Sequence, residues 1–418
     1  MNPGPAGVTL ADIRAARERI GTGVVRTPCA VNPALSALCG CEIWTKNEFE
    51  QRTGSFKERG ARNALLTLGE AARAKGVIAA SAGNHALALA FHGRELGVPV
   101  TVVMPTTAPL VKQGRCRSYG ARVLLHGRDI AEARDHAMRL VEAEGLTYVN
   151  GFDDAAIIAG AGTVALEVLE EVPAPDAIVV PVGGGGLIAG VAVAARAISP
   201  ATEIIGVEPE RCASFIAAGR EGKPIRISSS PTLADGLAVP EVGGRAFRLA
   251  RELVKRIETV DEEAISLAIL RLVENLRGVV EGAGAAPLAA FLAGKLGHLK
   301  GKRVVLLLCG GNIDPLVLSR VIGHSLATDG RLIEVNARIS DRPGGLATLT
   351  RCIAEAGASV QDIQHERVFG DPDVSRVLVR CILEVRGREH GDEVRAALAA
   401  GGIELLSPRG SRTVPSAS

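Results

Sequence analysis

Residues 53–60 read TGSFKERG and place one lysine, Lys57, between two glycines and beside Ser55 and Phe56. A lysine followed by glutamate and arginine is most often a solvated surface cation. Lys57 therefore gains chemical meaning only from what the chain builds around it. Three glycine-rich stretches supply that context: SAGNH (81–85), VGGGGLIAG (182–190) and CGGNID (309–314). In the second, Gly183, Gly184, Gly185 and Gly186 carry no side chains, so successive backbone N–H groups converge. The helix that follows aims its positive end at the same point, which makes an anion site. Two other readings of this turn stand beside it. It is a tight strand-to-helix turn with no ligand, or Gly184–Ala189 is a G-x-G-x-x-A dinucleotide fingerprint with Glu208 as the ribose contact. The fingerprint would make a hydride-transfer enzyme, but it gives Lys57 and SAGNH nothing to do.

The elements that must position these residues are strands and helices in alternation. GVIAA (76–80) is an apolar run that leads into SAGNH and a helical stretch, ALALAFHGREL. VPVTVVMP (98–105) and ARVLLHG (121–127) read as strands, the latter followed by a polar helix. DAIVVPV (176–182) runs into the four glycines and then LIAGVAVAARAI. TEIIGVE (202–208) is a strand, and KRVVLLLC (302–309) runs into GGNID. This alternation predicts an α/β fold with parallel sheets. Ligands of such sheets bind at the carboxyl ends of the strands, so the three glycine-rich turns are expected to line one cleft.

The character of the chain changes near residue 325, and GHSLATDG (323–330) reads as a linker. LIEVNARIS beyond it alternates with period two, as a half-buried strand does. DRPGG (341–345) is a turn. Leu346, Leu349, Cys352, Ile353 and Ala356 have helical spacing, with Gly357 suited to the cap. SVQDIQHERV and VSRVLVRCILEV are two strands joined by FGDPD. A helix over 391–400 and a short strand, IELL, complete a βαββαβ, ferredoxin-like module. The final PRGSRTVPSAS is expected to be disordered.

Bulk properties narrow the function classes. The chain has 418 residues, 47% of them hydrophobic, enough for a large core and two or three domains. The net charge is +2 with acids and bases mixed, so no basic stripe or acidic tail marks a nucleic-acid or membrane partner. No run is long enough to span a bilayer and the N-terminus has no signal pattern. The eight cysteines include no C-x-x-C pair, so no metal site is expected. The composition is that of a reduced, soluble, cytoplasmic protein.

A cofactor that needs both a lysine and an anion site uses all these features. Pyridoxal 5′-phosphate bonds through its aldehyde to a lysine amine and anchors its phosphate on backbone N–H groups. TGSFKERGA, SAGNHA, VGGGGLIAG, PTLADGLAV (231–239), EGAGA (281–285) and CGGNID stand in the order and spacing of the fold-type II (tryptophan synthase β-like) pyridoxal-phosphate enzymes. Over roughly residues 10–320 the chain most resembles the threonine/serine dehydratases (threonine ammonia-lyases). The βαββαβ tail with DRPGGL resembles the ACT domain appended to many of them. The resemblance implies a catalytic domain over 1–325 built of two parallel-sheet lobes, the small lobe (about 54–149) inserted in the large one. It also implies an ACT-type regulatory domain over 330–407 and a tail over 408–418.

Carried onto these residues, the resemblance implies that Lys57 carries the cofactor and is the catalytic base. Phe56 would pack beside the ring, and Asn84 would hydrogen-bond its phenolic oxygen. Gly183–Gly186 and Leu187 would hold the phosphate, and Cys309 would face the pyridine nitrogen. Ser81, Ala82, Gly83 and His85 would receive the substrate carboxylate. The plainer alternatives are that Asn84 caps the helix it begins, that His85 lies on a helix surface, and that Cys309 is core. Three positions depart from the family pattern: Leu87 for glutamine, Ala161 in AGAGT for glutamine, and Asn150-Gly151 for His-Pro. They are expected near the cleft or its entrance. Ser214, six residues after Glu208, replaces an acidic metal ligand of related racemases.

The implied activity is dehydration and deamination of L-threonine or L-serine to 2-oxobutyrate or pyruvate plus ammonia, a step suited to isoleucine biosynthesis. Dehydration of hydroxyaspartate or phenylserine, serine racemase-like activity, and a non-catalytic amino-acid sensor are the alternatives. Ala82 stands where related racemases carry a serine acid, which weakens the racemase reading. The expected partners are an amino-acid substrate, an amino-acid effector at the ACT domain, and further copies of the chain in a dimer or tetramer.

Overall fold

The computed structural model of the chain describes residues 7–367 and 373–406. The chain divides into two units, residues 1–314 and 315–418. The expected tail over 408–418 and most of the FGDPD turn lie outside the described residues.

The first unit carries β1 (Cys29–Val31), β2 (Glu42–Lys46), β3 (Val77–Ala80), β4 (Val100–Met104), β5 (Arg122–Leu125), β6 (Thr147–Tyr148), β7 (Ala177–Pro181), β8 (Glu203–Pro209), β9 (Arg256–Val260) and β10 (Arg303–Leu307). They form two sheets, ordered β1-β2-β10-β7-β8-β9 and β5-β4-β3-β6. Every neighbouring pair is parallel except β1 with β2. The apolar runs explain the geometry: β4 and β7 are buried along their whole length, as in parallel strands covered on both faces. All strands of the second sheet lie in sequence between β2 and β7, so the chain leaves the large sheet, builds the small one and returns. The glycine-rich stretches follow β3, β7 and β10. The last two strands are hydrogen-bonded neighbours, which sets their turns side by side.

Three helices run in backbone contact beneath these turns. The lysine helix (Lys57–Leu66) and the glycine-turn helix (Gly186–Ile198) both pack on a bridging helix (Ala155–Glu171). A Cβ on Gly160 of the bridging helix would lie 2.5 Å from the Arg59 carbonyl, and one on Gly60 would lie 3.0 Å from the Ile157 carbonyl. On the other flank, a Cβ on Gly190 would lie 2.5 Å from the Ile158 carbonyl and 2.7 Å from the Gly162 nitrogen. No side chain fits in either seam.

The second unit begins with a helix, Pro315–Thr328, followed by β11 (Leu332–Ser340), a helix (Gly345–Glu355), β12 (Ser359–Glu366), β13 (Arg376–Glu384), a helix (Arg388–Ala400) and β14 (Glu404–Leu406). The sheet is antiparallel in the order β12-β13-β11-β14, the ferredoxin-like arrangement of βαββαβ. Ile333, Val335, Ala337 and Ile339 of β11 alternate into its core, as period two requires. The expected linker 323–330 is corrected: most of it is the end of the helix Pro315–Thr328. Proline at the first helical position and buried Val321 and Ser325 one turn apart favour the helix, and Gly330, with φ +76°, lies just beyond its end. The unit boundary accordingly falls ahead of residue 325.

Candidate active site

Lys57 is the first residue of its helix, and backbone pairing puts it there. Ser55 and Gly310 form an antiparallel bridge. The Phe56 N–H donates to the Cys309 carbonyl at 3.0 Å and the Gly311 N–H to the Gly54 carbonyl at 3.0 Å. TGSF and CGG are thereby zipped together, and Lys57 emerges beside Cys309. Gly54 makes this possible: its φ is +81°, and a Cβ there would lie 2.8 Å from the Asn312 side-chain oxygen.

Lys57 is not a solvated cation. Its Nζ donates to the Gly151 carbonyl at 2.6 Å and sits 5.1 Å from the centre of the Phe56 ring. Burial lowers its pKa to about 8, against the opposing pull of Cys309 and Glu281. The amine is therefore partly unprotonated near neutrality. The Cys309 side chain is buried, and burial and Glu281 push its thiol pKa well above the ordinary value, so it stays protonated. Capture of an aldehyde by this lysine needs the free amine. Uptake of pyridoxal phosphate by the cofactor-free protein should accelerate as pH rises through about 8 and then level off. Stopped-flow absorbance measures it; a rate independent of pH between about 6.5 and 9 contradicts it.

Asn84 begins the helix Asn84–Leu96, but its side chain makes no capping bond. Instead its Nδ2 donates to Glu281 Oε1 at 2.6 Å and its Oδ1 accepts from Asn312 Nδ2 at 2.9 Å. Asn312 Nδ2 also reaches the Thr53 carbonyl at 2.7 Å, and Asn312 Oδ1 accepts from Arg115 at 2.8 Å. An amide nitrogen carries two hydrogens, so Asn84 keeps one for a ligand. Burial raises the Glu281 carboxyl to about pKa 7, with Asp235 adding to the rise and the Asn84 hydrogen bond opposing it. Glu281 and Asn312 had no role in the sequence reading. The signal was there, in EGAGA and CGGNID, but their contacts join distant segments.

The loop Ser81-Ala82-Gly83 is half-buried at the end of β3, with open space on the Cβ side of Gly83. His85 is buried rather than on a helix surface. Burial and the charge of Lys57 lower its pKa to about 3, so the ring is neutral and its Nε2–H donates to the Val149 carbonyl at 3.1 Å. The Nδ1 of His85 and the Oγ of Ser55 are buried without a partner.

The turn Gly183–Gly186 joins β7 to the glycine-turn helix, with Gly185 at φ +87°. Leu187, in the first turn of that helix, is buried. A Cβ on Gly184 would lie 2.2 Å from the Phe152 ring, and one on Gly186 would lie 2.4 Å from the Phe152 carbonyl. The stretch 150–153 thus touches both ends of the site. Gly151 meets Lys57, Phe152 covers the glycines, and Asp153 Oδ1 accepts the N–H groups of Arg245 and Ala246 at 2.8 and 2.9 Å. A Cβ on Gly151 would lie 2.8 Å from His85 Cγ, so the residue that replaces the family's proline leaves room for His85.

Of the three departures, then, Asn150-Gly151 lies at Lys57. Leu87 and Ala161 are buried. Glu208 is also buried; its carboxylate accepts the Phe215 and Ile216 N–H groups at 2.7 and 3.0 Å and caps a helix, Ser214–Glu221, which removes the ribose contact of the dinucleotide reading. Among the described residues no group of three His, Cys, Asp or Glu side chains is placed to hold a metal ion, and no helix is long and apolar enough to cross a membrane.

A buried amine of lowered pKa, a turn stripped of side chains at a helix N-terminus, a protonated thiol and unpartnered polar atoms fit a phosphorylated aldehyde such as pyridoxal phosphate. A family model described as pyridoxal-phosphate dependent enzyme matches residues 20–310. The L-threonine ammonia-lyase of Thermotoga maritima is 42% identical over 398 residues, 95% of this chain and 99% of that protein. The L-threonine ammonia-lyase of Geobacter sulfurreducens is 43% identical over 390 residues, 93% and 97% of the two chains. Among solved structures, threonine deaminase isoform 2 from Solanum lycopersicum superposes with a TM-score of 0.71 at 38% identity, covering 75% of this chain and 91% of that one. Maize serine racemase does so with a TM-score of 0.72 at 34% identity, covering 77% and 99%.

Proposed function

The chain belongs to the family of pyridoxal-phosphate-dependent enzymes, and from that premise we propose that it is a carbon–nitrogen lyase that converts L-threonine, and L-serine, to 2-oxobutyrate or pyruvate plus ammonia. The observation that carries this reading is the Lys57 amine, with its lowered pKa, beside the Cys309 thiol rather than a carboxylate. When bound, pyridoxal phosphate supplies the electron sink that makes the substrate Cα proton acidic and lets the β-hydroxyl depart. The chain's residues do the rest. Backbone N–H groups of Gly183–Leu187 and the positive end of their helix hold the phosphate. The Asn84 amide, oriented by Glu281 and Asn312, would bind the ring oxygen, and Phe56 would pack against the ring. The Ser81–Gly83 loop and the backbone N–H of His85, at the N-terminus of the helix Asn84–Leu96, receive the substrate carboxylate. Lys57 takes the Cα proton as general base. The Cys309 thiol would face the ring nitrogen and, staying protonated, would form no strong ion pair with it, which would favour prompt loss of the β-substituent. Loss of water followed by hydrolytic loss of ammonia balances the reaction.

Ala82 offers no group to return a proton from the opposite face, which separates this reading from racemisation. All eight cysteines carry free thiols, which suits a reducing, cytoplasmic setting. The second unit is read as an ACT-type regulatory module that binds an amino-acid effector and joins copies of the chain into a dimer or tetramer. Its turn Asp341–Gly345 supports this: Gly344, at φ +99°, opens the helix Gly345–Glu355, whose positive end suits a carboxylate.

One experiment tests the whole reading. The full chain, loaded with pyridoxal phosphate, is assayed for 2-oxo acid release from L-threonine, L-serine, 3-hydroxyaspartate and 3-phenylserine, with and without isoleucine or valine. L-Threonine and L-serine are expected to react best, with saturation curves displaced by an effector. No release from any substrate overturns the lyase reading; preference for another member reassigns the substrate; curves unmoved by effectors leave the second unit as an assembly module.

A further inference from the structure

We propose that Glu58 and Arg59 are positioning residues that aim Lys57 by anchoring the first turn of its helix in two different directions; the inference rests on the reading of Lys57 as the lysine that carries the cofactor. Successive helical side chains point about 100° apart, so Lys57, Glu58 and Arg59 leave the helix in three directions. Glu58 Oε2 accepts from His92 Nε2 at 3.1 Å, on the helix Asn84–Leu96 of the small-sheet region, and Glu58 Oε1 accepts the Thr53 N–H. Burial holds His92 below its ordinary pKa, so its ring is neutral near pH 7; Nε2–H donates to Glu58 and Nδ1 faces Arg62 at 3.4 Å. Arg59 reaches elsewhere. It is fully buried and grips two carboxylates at once, Glu48 at 2.8 and 2.7 Å and Glu167 at 2.6 and 2.8 Å. Lys46 completes the cluster, donating to Glu167 at 2.6 Å and to the Thr27 carbonyl at 2.6 Å. Two cations and two carboxylates balance in charge.

Such a cluster is a poor source of stability, because well-packed apolar residues do as well or better; what it fixes is register. Register matters here because Phe56, at the N-cap, makes no side-chain capping bond; the backbone pairing of Phe56 with Cys309 sets where the helix starts, and the side chains of Glu58 and Arg59 hold its rotation. With Glu58 and Arg59 locked, the direction of the Lys57 stem is fixed without any contact to its amine. Arginine is required at 59, for a lysine has one point of charge and cannot present two forks.

The test compares two ligands on cofactor-free, full-length protein by equilibrium dialysis. Pyridoxal 5′-phosphate uses the lysine; pyridoxine 5′-phosphate has the same ring and phosphate but no aldehyde. Wild type should bind the aldehyde form far more tightly, and Lys57→Ala should erase that preference. Glu58→Gln and Arg59→Lys should each reduce the preference by about tenfold or more, a loss of about 1.4 kcal/mol, while affinity for pyridoxine phosphate changes less than about twofold. The proposal is overturned if the preference is kept, or if both affinities fall together as a general structural defect would make them. If Arg59→Lys does not fold, Glu58→Gln decides alone. A wild type and a Lys57→Ala variant that do not differ in preference would instead overturn the assignment of Lys57.

Discussion

Lys57→Ala is expected to abolish 2-oxo acid release while the protein remains folded. Loss of a positioned proton acceptor alone lowers turnover by about 10²–10⁴-fold, and loss of the covalent tether to the cofactor adds to that. The structural consequence is small. The variant gives up one hydrogen bond, to the Gly151 carbonyl, from an ammonium that burial already disfavours. Thermal stability should move by no more than about 1–2 kcal/mol. Steady-state turnover together with a thermal melt checks both halves. A variant that keeps a tenth of wild-type turnover would remove Lys57 from the reaction.

The second large effect belongs to the opposite end of the site. Gly186→Ala would set a methyl group 2.4 Å from the Phe152 carbonyl and 3.0 Å from its Cα. Backbone cannot yield as a side-chain tip does, so either the glycine turn or the stretch 150–153 must shift. Overpacking of this kind costs about 1–3 kcal/mol. Both segments serve the site, one with the N–H groups that hold phosphate and the other with the Gly151 carbonyl that meets Lys57. The purified variant should lose pyridoxal phosphate on desalting, with affinity reduced at least about tenfold. Full retention of the cofactor by a normally folded variant would show that Gly186 is only a packing residue.

The residues that meet in the site were legible where local pattern decides the outcome. A run such as DAIVVPV followed by four glycines can do little but end a buried strand and start a helix, and the lysine stretch declares itself once such turns are counted. What was not legible depends on contacts between distant segments. From local pattern alone Asn84 reads as a helix cap, and its expected role at the cofactor came from the family resemblance. Only the folded chain brings Glu281, 197 positions away, to its amide. Gly151 was marked only as a departure from the family pattern, since it acts through a carbonyl, and Phe152 is silent in sequence, since it acts through its fit against glycines. Leu87 and Ala161, expected near the cleft from motif position, are buried side chains. The stretch 323–330 misled through composition, since glycine, serine and threonine suggest a loop. A proline start and inward-facing Val321 and Ser325 outweigh them.

The seams at Gly60–Gly160 and Gly162–Gly190 have a consequence for how this molecule can change. Because main chain rests on main chain at both, the gap between the lysine and the glycine turn works like a calliper whose jaws are set by the frame. No rotamer adjusts it. Substitutions at Ser81 or Ala82 alter what the jaws meet, and leave their spacing alone. Substrate preference can therefore drift in this chain without loosening the grip on a cofactor of fixed length, whereas a single methyl group in either seam would open the gauge itself.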